Sequence, residues 1–361
     1  MISVKQDSIA KKLNLSIATV SRSLANHPAI SAETRTRVQR AAEELGYKRN
    51  AARDAGSNQK TKQIPIGVFV GIQPNSSPLA TFPLILKGIQ ERAKSENVSI
   101  DVSFQDPTLF NPDARANPVM RQIREGKWRG IILIYPYSHK VVEALARKIP
   151  LVSTLEDYDN LSIDSIDTNH HTGIVAMINR LVALGHRKIG FVTWAYVTSG
   201  HWSTQRFAAY VTGIFANGLE FRLDWIFNVN KSAPDLSISE IANEAVRKTR
   251  EDGVTAWVCA ADHQAYQLMM DFHARGIRVP EDCSVTGFDG IEPPPSLKPV
   301  TSQRVPNETI GSAAVTRILN RIQHPKSHQR KILVETQFVE GATIASPRPL
   351  AGVSAEKIPT R

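Results

Sequence analysis

Two hydrophobic patterns divide the chain. In the first fifty residues, apolar side chains recur at intervals of three and four, which predicts three short amphipathic helices. From residue 64 onward, short apolar runs alternate with longer amphipathic stretches, which predicts parallel strands connected by helices that cover both faces of each sheet. We therefore expect a small all-α domain followed by an α/β body. The predicted strands are 64–70, 100–104, 130–134, 188–193, 255–260 and 284–288, and the clearest predicted helices are 84–95, 173–184, 239–250 and 264–275.

Serine residues mark the beginnings of the three N-terminal helices. Ser3 with Gln6, then Ser16 and Ser31, stand where side chains cap helix N-termini, and Gly46 is typical of the position after a C-terminus. The first two helices are joined by a tight turn, and the third supports them. This arrangement is that of a helix-turn-helix DNA-binding domain.

The second helix carries the residues that we expect to contact DNA. Val20 and Leu24 form its inward apolar pair, which leaves the opposite face free to enter a major groove. Arg22 can bind guanine O6 and N7, whereas Ile17 and Ala18 can contact a thymine methyl group. Hydroxyl groups suited to phosphate contacts are those of Ser16, Thr19 and Ser21. The alternative is a three-helix bundle in which Arg22 is merely solvated.

The distribution of charge supports a nucleic-acid partner. Residues 1–62 contain twelve lysines and arginines against five acids, a net charge of +7 out of +10 for the whole chain. The remaining 299 residues are therefore close to balanced. A basic character confined to one segment indicates a local DNA-binding surface.

Changes of pattern also set the predicted domain boundaries. These are a helix-turn-helix domain over residues 1–49, a polar linker over 50–63, a body over 64–345 with room for two lobes, and a flexible tail over 346–361. No apolar run is long enough to span a bilayer and no segment resembles a signal peptide, so we expect a cytoplasmic protein without a membrane partner.

Metal and catalytic chemistry is not indicated by the sequence. Cys259 and Cys283 fall in apolar runs and are expected to be reduced core thiols. His170, His171 and His201 lack carboxylates or cysteines at helical ligand spacing, and we interpret them as surface or cleft-lining residues. No phosphate-binding glycine loop or nucleophile-base-acid order is recognisable. We expect no enzyme, no metal and no cofactor.

Residues that follow the predicted strands are candidates for ligand binding. In parallel α/β sheets the ligand crevice lies beyond the carboxyl ends of the strands. On this basis the candidates are Phe82, Asn169, Trp194, Asp262 and Asp289.

Several segments resemble one known family. They are Ala18-Thr-Val-Ser-Arg22, residues 31–38, residues 44–50, residues 184–191, Arg206 followed by an aromatic residue, and residues 276–289. In order and spacing these segments resemble the LacI/GalR family of bacterial transcription regulators over about residues 3–345. The resemblance implies a homodimer with a helix-turn-helix head, a hinge and a two-lobed body like the periplasmic sugar-binding proteins. A small effector would bind between the lobes, and the DNA operator would be a pseudo-palindrome.

The resemblance also implies roles for individual residues. Arg206 stands at the position of the family's effector-binding arginine and Asp289 at that of its hydroxyl-binding aspartate, so together they can bracket vicinal hydroxyl groups. Aromatic faces for a sugar ring come from Phe82, Trp194 and Trp202. The alternative for Arg206 and Asp289 is an interlobe ion pair without a ligand. Two positions depart from many relatives, Asn169 in place of Asp and Ala261-Asp262 in place of Asn-Asp.

The hinge departs from the family pattern. Members usually have a proline before the hinge asparagine and a hinge leucine that enters the minor groove, whereas this chain has Arg49 and then Ala55 or Gly56 at those places. We expect Arg49 and Arg53 to contact phosphates instead. The remaining predicted DNA contacts are Asn26 and the hinge residue Asn50.

The sequence therefore predicts a dimeric transcription regulator, a repressor of genes for carbohydrate uptake or breakdown, that responds to a saccharide. Whether the effector releases the operator or strengthens its binding stays open. The alternatives are a sugar-binding module without DNA activity, an α/β enzyme that acts on sugars, and a regulator controlled by a protein corepressor.

Overall fold

A computed structural model describes residues 6–24, 30–45, 63–72, 81–107, 109–114, 117–158, 160–195, 201–229 and 234–348. The chain divides into two compact units, Met1–Lys62, here called the head, and Gln63–Arg361, the body. Some predicted features lie outside the described residues: Ser3, Gly46, the linker up to residue 62, and the DNA contacts Asn26, Arg49, Asn50 and Arg53. No helix in the described ranges is both long and apolar enough to cross a membrane.

The described residues of the head form three helices, α1 (Gln6–Leu13), α2 (Ile17–Leu24) and α3 (Ala32–Glu44). The turn between α1 and α2 places Asn14 in the left-handed region, at φ 53°. The helices share a small apolar core whose buried members are Ile9, Ala10, Val20, Val38, Ala41 and Ala42. The amphipathic pattern thus buries one stripe of each helix, as predicted.

The body alternates strands and helices along most of its length. Its first part contains β1 (Ile64–Val70), α4 (Phe82–Ser95), β2 (Val98–Phe104), α5 (Pro118–Arg124), β3 (Gly130–Ile134), α6 (His139–Ala146), β4 (Leu151–Thr154) and β5 (Asp164–Thr168). Its middle part contains α7 (His170–Ala183), β6 (Ile189–Val192), α8 (His201–Ala216), β7 (Ile226–Phe227), α9 (Ile238–Arg247), β8 (Ala256–Cys259), α10 (Asp262–Ala274) and β9 (Ser284–Thr286). Its last part contains β10 (Ser302–Arg304), α11 (Asn307–Gln323), β11 (Lys331–Val334) and β12 (Gln337–Val339).

Two parallel sheets define two lobes within the body. The first lobe has six strands in the order β11-β5-β4-β3-β1-β2, and the second lobe has four in the order β7-β6-β8-β9. Strands β10 and β12 form a separate antiparallel pair. The predicted α/β class with two lobes of parallel sheet is confirmed.

Burial on both faces explains the continuous apolar runs of the central strands. All five residues of β3 are buried. Ile132 and Ile134 pack into one apolar cluster, whereas Ile131 and Leu133 pack into another on the opposite face of the sheet. Side chains alternate between faces along a strand, so a strand covered on both sides is apolar at every position.

The chain passes between the lobes three times. The first passage leads from β5 to α7 through Asn169, the second from β10 to α11, and the third from β11 to β12. The side chain of Asn169 donates from Nδ2 to Oε1 of Glu335 on the third passage, at 2.7 Å. Thr336 on that passage donates to Oε1 of Gln303 in β10, at 2.9 Å. Side-chain hydrogen bonds therefore tie the passages together.

Glycines allow α4 and α11 to touch backbone to backbone. A Cβ atom at Gly88 would lie 1.9 Å from the carbonyl oxygen of Glu308, and one at Gly311 would lie 2.1 Å from that of Ile85. Neither position can hold a larger residue unless the helices separate.

Asp164 fastens α11 to the sheet of the first lobe. Its fully buried carboxylate accepts hydrogen bonds from Arg317 at 2.7 Å, from Arg321 at 2.7 and 3.0 Å, and from the backbone N–H of Arg330 at 2.6 Å. Burial opposes ionisation of Asp164, but the two guanidinium groups outweigh burial and hold the pKa of Asp164 below its ordinary value.

We expect Asp164→Ala to lower the free energy of unfolding by about 3–5 kcal/mol, because it leaves two buried guanidinium groups without a counter-charge. Urea denaturation followed by tryptophan fluorescence measures this loss in the body alone, since all five tryptophans lie there. The control is Asp113→Ala, which removes an exposed pair with Lys140 and should cost less than about 1 kcal/mol. Equal losses in the two variants would contradict the anchoring role of Asp164.

Candidate functional site

A cleft between the lobes contains a cavity of about 200 Å³. The first lobe contributes the residue before α4, residues that follow β3 and β4, and the last two residues of β5. The second lobe contributes residues of α7, α8, α10 and the segment after β9, and the second passage contributes two more. The lining residues are Thr81, Tyr135, Pro136, Leu155, Asp167, Thr168, His170, Trp202, Arg206, His263, Asp289, Val305 and Asn307. The cavity thus lies where parallel sheets are expected to bind ligands.

Three lining residues have left-handed backbone conformations. Tyr135 follows β3 directly and has φ 69°, Leu155 follows β4 directly and has φ 62°, and Asp289 follows β9 and has φ 125°. Residues other than glycine rarely adopt such angles, and the strain that they carry is concentrated at functional sites. Their meeting at one cavity marks it as the candidate site.

Arg206 is the buried cation of this cleft. Its Nε donates to Nδ1 of His170 at 3.1 Å, and its Nη1 donates to the carbonyl oxygen of Ala260 at 2.6 Å. Its Nη2 lies 3.0 Å from Oδ1 of Asp289 in an ion pair. All three nitrogen atoms of the guanidinium group therefore have partners, which fixes its orientation.

Two aromatic rings form cation–π contacts with the guanidinium group of Arg206. Its central carbon lies 3.8 Å from the ring centre of Phe288 and 4.8 Å from that of Trp202. Both distances are within the range of cation–π attraction. Trp202 also lines the cavity, so the same ring touches Arg206 and the ligand space.

His170 connects Arg206 to a second carboxylate. Because a guanidinium nitrogen can only donate, Nδ1 of His170 accepts, and its Nε2 carries the proton and faces Oδ2 of Asp167 at 3.3 Å. Burial, and then the charge of Arg206, lower the pKa of His170 below its ordinary value, although Asp167 opposes both effects. A neutral imidazole therefore supports Arg206.

Asn307 lines the cavity and has a buried acceptor without a described partner. It is the first residue of α11 and is buried, and its Oδ1 accepts no hydrogen bond from the residues that the structure describes. A buried amide oxygen without a partner is costly unless water or a ligand supplies a donor.

Of the predicted effector-binding residues, Trp202, Arg206 and Asp289 line the cavity. The other four are not among its described lining residues. Phe82 begins α4 and packs edge-on against Phe104, with the ring centres 5.6 Å apart. Asn169 caps α7 by accepting from the backbone N–H of Thr172 at 3.1 Å.

Trp194 and Asp262 lie behind the lining. Trp194 packs edge-on against His263, with the ring centres 4.9 Å apart, and His263 in turn lines the cavity. Asp262 is fully buried and accepts from the backbone N–H groups of Gly290 and Ile291, at 2.6 and 2.9 Å.

The carboxyl group of Asp262 therefore supports the segment that carries Asp289. It also accepts from the hydroxyl of Ser302 at 2.6 Å. Burial, and then the neighbouring charge of Asp289, raise the pKa of Asp262 to about 7. Asp262 therefore positions the backbone next to Asp289, whereas the sequence predicted that Asp262 contacts the effector directly.

Several lining residues were not singled out by the sequence. Tyr135 and Leu155 follow β3 and β4, so the rule of strand carboxyl ends would have found them if it had been applied to every strand. Asp167 lies just before the first passage between the lobes and was not singled out. His170, which the sequence analysis interpreted as a surface or cleft-lining residue, lies just after that passage and lines the cavity. Asn307 follows a passage and not a strand of a parallel sheet, and nothing in the local sequence marks it.

The exposed face of α2 forms a second candidate site, for DNA. Ile17, Ala18, Ser21 and Arg22 are exposed, whereas Val20 is fully buried. Leu24 is half-buried and packs against the core of the head, as predicted. Two details were not predicted: Ser23 is also buried, and the hydroxyls of Ser16 and Thr19 lie 2.8 Å apart at the N-cap. Ser16 also accepts from the backbone N–H of Thr19 at 3.0 Å, as a capping residue does.

No group of three or more histidine, cysteine, aspartate or glutamate side chains in the described ranges is placed to hold a metal ion. Cys259 and Cys283 are free thiols and both are buried. Burial raises the pKa of each thiol above its ordinary value, so both are in the protonated form at neutral pH.

Comparisons with known proteins cover both units. Residues 7–50 match the model of bacterial regulatory proteins, lacI family, and residues 178–344 match a periplasmic binding protein-like domain. The probable HTH-type transcriptional repressor ExuR of Bacillus subtilis is 27% identical over 343 residues, which cover 94% of this chain and 97% of the relative.

Solved structures share the fold. The lac repressor dimer bound to operator and the anti-inducer ONPF is 24% identical, with a TM-score of 0.60 over 95% of this chain and 100% of that one. A LacI family transcriptional regulator from Enterococcus faecium with bound ribose is 17% identical, with a TM-score of 0.60 over 79% and 100%. From the matches in both units, the chain belongs to the lacI family of bacterial regulatory proteins.

Proposed function

We propose that the protein is a DNA-binding transcription repressor whose affinity for its operator is controlled by a carbohydrate bound between the lobes of the body. It acts in the cytoplasm as a homodimer on a pseudo-palindromic operator. The observation that carries this proposal is the immobilised pair of Arg206 and Asp289 in the cleft of a chain that also has an exposed recognition helix.

The surface of α2 supports the DNA-binding part of the proposal. Arg22 is exposed and can bind guanine, and the exposed Ile17 offers an apolar contact to thymine. The concentration of positive charge in residues 1–62 supplies the attraction to phosphates that all such complexes need. A lac repressor dimer of the same fold is bound to its operator.

The geometry of the cleft supports the carbohydrate part. A carboxylate and a guanidinium that are held rigidly together can accept from and donate to neighbouring hydroxyl groups, while the Trp202 ring offers a face to the C–H groups of a sugar. A family member with this fold holds ribose. We propose binding without turnover, in keeping with the repressor names of the relatives.

The three passages between the lobes suggest how binding is transmitted. Lining residues come from both lobes and from the second passage, so a ligand that contacts all of them favours one relative position of the lobes. Such a ligand shifts the population of body conformations by its difference in affinity for them.

We expect Arg22→Ala to weaken operator binding by about 1–3 kcal/mol and to relax the preference for guanine at one position, because the two-pronged base contact is lost. Selection of bound sequences from a random library, followed by fluorescence anisotropy at fixed salt, measures both effects. Arg37→Ala is the control, since it removes an exposed charge from α3 and should weaken binding without altering sequence preference. An unchanged preference in Arg22→Ala would refute the base contact.

We expect Arg206→Lys to raise the Kd for the carbohydrate effector at least about tenfold, since an ammonium group cannot reproduce three fixed contacts. Isothermal titration calorimetry measures the Kd, and operator binding without effector should be retained. Arg247→Lys, an exposed arginine on α9, is the matched control and should leave the Kd unchanged. Wild-type affinity in Arg206→Lys would contradict the assigned ligand contact.

We expect stability to fall as pH drops below about 6.5, the ordinary pKa of histidine, and effector affinity to fall at the lower pH at which His170 of the folded protein takes up a proton. The pKa of His170 is lower in the folded protein, so the unfolded chain takes up the proton first. The contribution of His170 to stability is therefore complete above pH 6.5 and is lost as pH falls through the folded pKa. Protonation also places a cation beside Arg206.

Melting temperatures and effector Kd values between pH 5 and 8 measure this dependence. His170→Gln retains a hydrogen-bond acceptor but cannot titrate, so both of its profiles should be flatter. His201→Gln, at the start of α8, is the control and should follow the wild type. A His170→Gln profile that also matched the wild type would show that another group is responsible.

A further inference from the structure

We infer that the cleft selects an uncharged, hydroxyl-rich ligand and discriminates against the acid derived from the same sugar. The inference rests on the proposed function, which places a carbohydrate between the lobes. It goes further by stating that this carbohydrate carries no charge.

The described lining of the cavity offers no free cation to a carboxylate ligand. Arg206 is the only lysine or arginine among the described lining residues. Each of its three nitrogen atoms already has an acceptor, on His170, Ala260 or Asp289. An acidic ligand would have to share Arg206 with Asp289, so that two carboxylates would face one guanidinium group in a desolvated site, which is unfavourable.

The balance of charge along the described lining is negative. Asp167 and Asp289 are two carboxylates against the single guanidinium of Arg206. Burial lowers the pKa of His170 and of His263, so neither imidazole adds a positive charge at neutral pH. A ligand with its own negative charge therefore meets net repulsion.

Three segments outside the described residues follow strands of the two sheets in sequence, and two of them carry no charged side chain. Residues 73–80, which follow β1, and residues 196–200, which follow β6, contain no lysine, arginine, aspartate or glutamate. Residues 230–233, which follow β7 at the edge of the second sheet, contain one charged residue, Lys231.

Hydrogen-bonding capacity gives the same result independently of charge. Oδ1 of Asn307 is an unused acceptor, whereas the hydroxyl of Thr168 is already committed to the carbonyl oxygen of Val334 at 3.1 Å. At least one acceptor in the described lining therefore lacks a donor that a ligand could supply. A sugar hydroxyl supplies a donor, and an ionised carboxylate supplies acceptors only.

The test compares matched pairs of ligands on the full chain at pH 7.5. Glucose, galactose, mannose, ribose and their disaccharides are screened beside glucuronate, galacturonate, mannuronate and the corresponding aldonates, first by thermal shift and then by calorimetry. We expect at least one neutral sugar to bind, and its matched acid to bind at least about tenfold more weakly.

Three variants test the cause of this discrimination. Asp289→Asn removes a carboxylate from the lining, so the ratio of the acid Kd to the neutral-sugar Kd should fall, even if both ligands bind more weakly. Glu251→Gln removes the same charge from the exposed surface, where Glu251 pairs with Arg247, and should leave the ratio unchanged. Lys231→Gln should also leave it unchanged.

The outcomes separate the two proposals. An acid that binds as tightly as its neutral partner overturns the inference and leaves the carbohydrate-controlled repressor intact. An unchanged ratio in Asp289→Asn overturns the electrostatic cause. Failure of every sugar and every acid to bind overturns the carbohydrate effector and the inference with it, while operator binding through Arg22 is judged separately.

Discussion

The cleft is organised around the cost of burying one positive charge. Arg206 is almost fully buried, and a guanidinium group in such a place is tolerated only when its charge and its donors are matched. The protein meets this demand with parts from distant elements: the imidazole of His170, the carbonyl of Ala260, the carboxylate of Asp289 and the rings of Phe288 and Trp202. Satisfying the charge thus builds a rigid binding surface.

The residues that contact Arg206 are themselves held in place by a second set of residues. Asp167 orients the imidazole of His170, and Asp262 holds the backbone beside Asp289 through its bonds to Gly290 and Ile291. Asp167 lines the cavity and Asp262 lies behind its lining, and both determine where the polar atoms of the cavity lie. The strained backbone of Asp289 is compatible with this view, because the surrounding bonds hold a conformation that the residue would otherwise leave.

Strands were predicted correctly from the sequence where their side chains are apolar. A buried strand with polar side chains was missed. Strands β1 and β3 have the predicted bounds, but β5, Asp-Ser-Ile-Asp-Thr, was not identified, although all five residues are buried. The charge of Asp164 is neutralised by Arg317 and Arg321, more than 150 positions away, and no local pattern reveals such a pairing. Arg206 was found through family resemblance and Asp289 also through its position after a predicted strand, whereas the placement of Asn307 depends on the path of the chain between the lobes.

The close contact of α4 and α11 leaves no room for the two helices to shift toward each other. Gly88 and Gly311 bring the two backbones together, and Asp164 clamps the far half of α11 to the sheet. Asn307, at the near end of α11, forms part of the cavity wall. No side chains lie between the two backbones at this contact to absorb a displacement of the N-terminal end of α11. Helices α4 and α11 therefore move together as one rigid body.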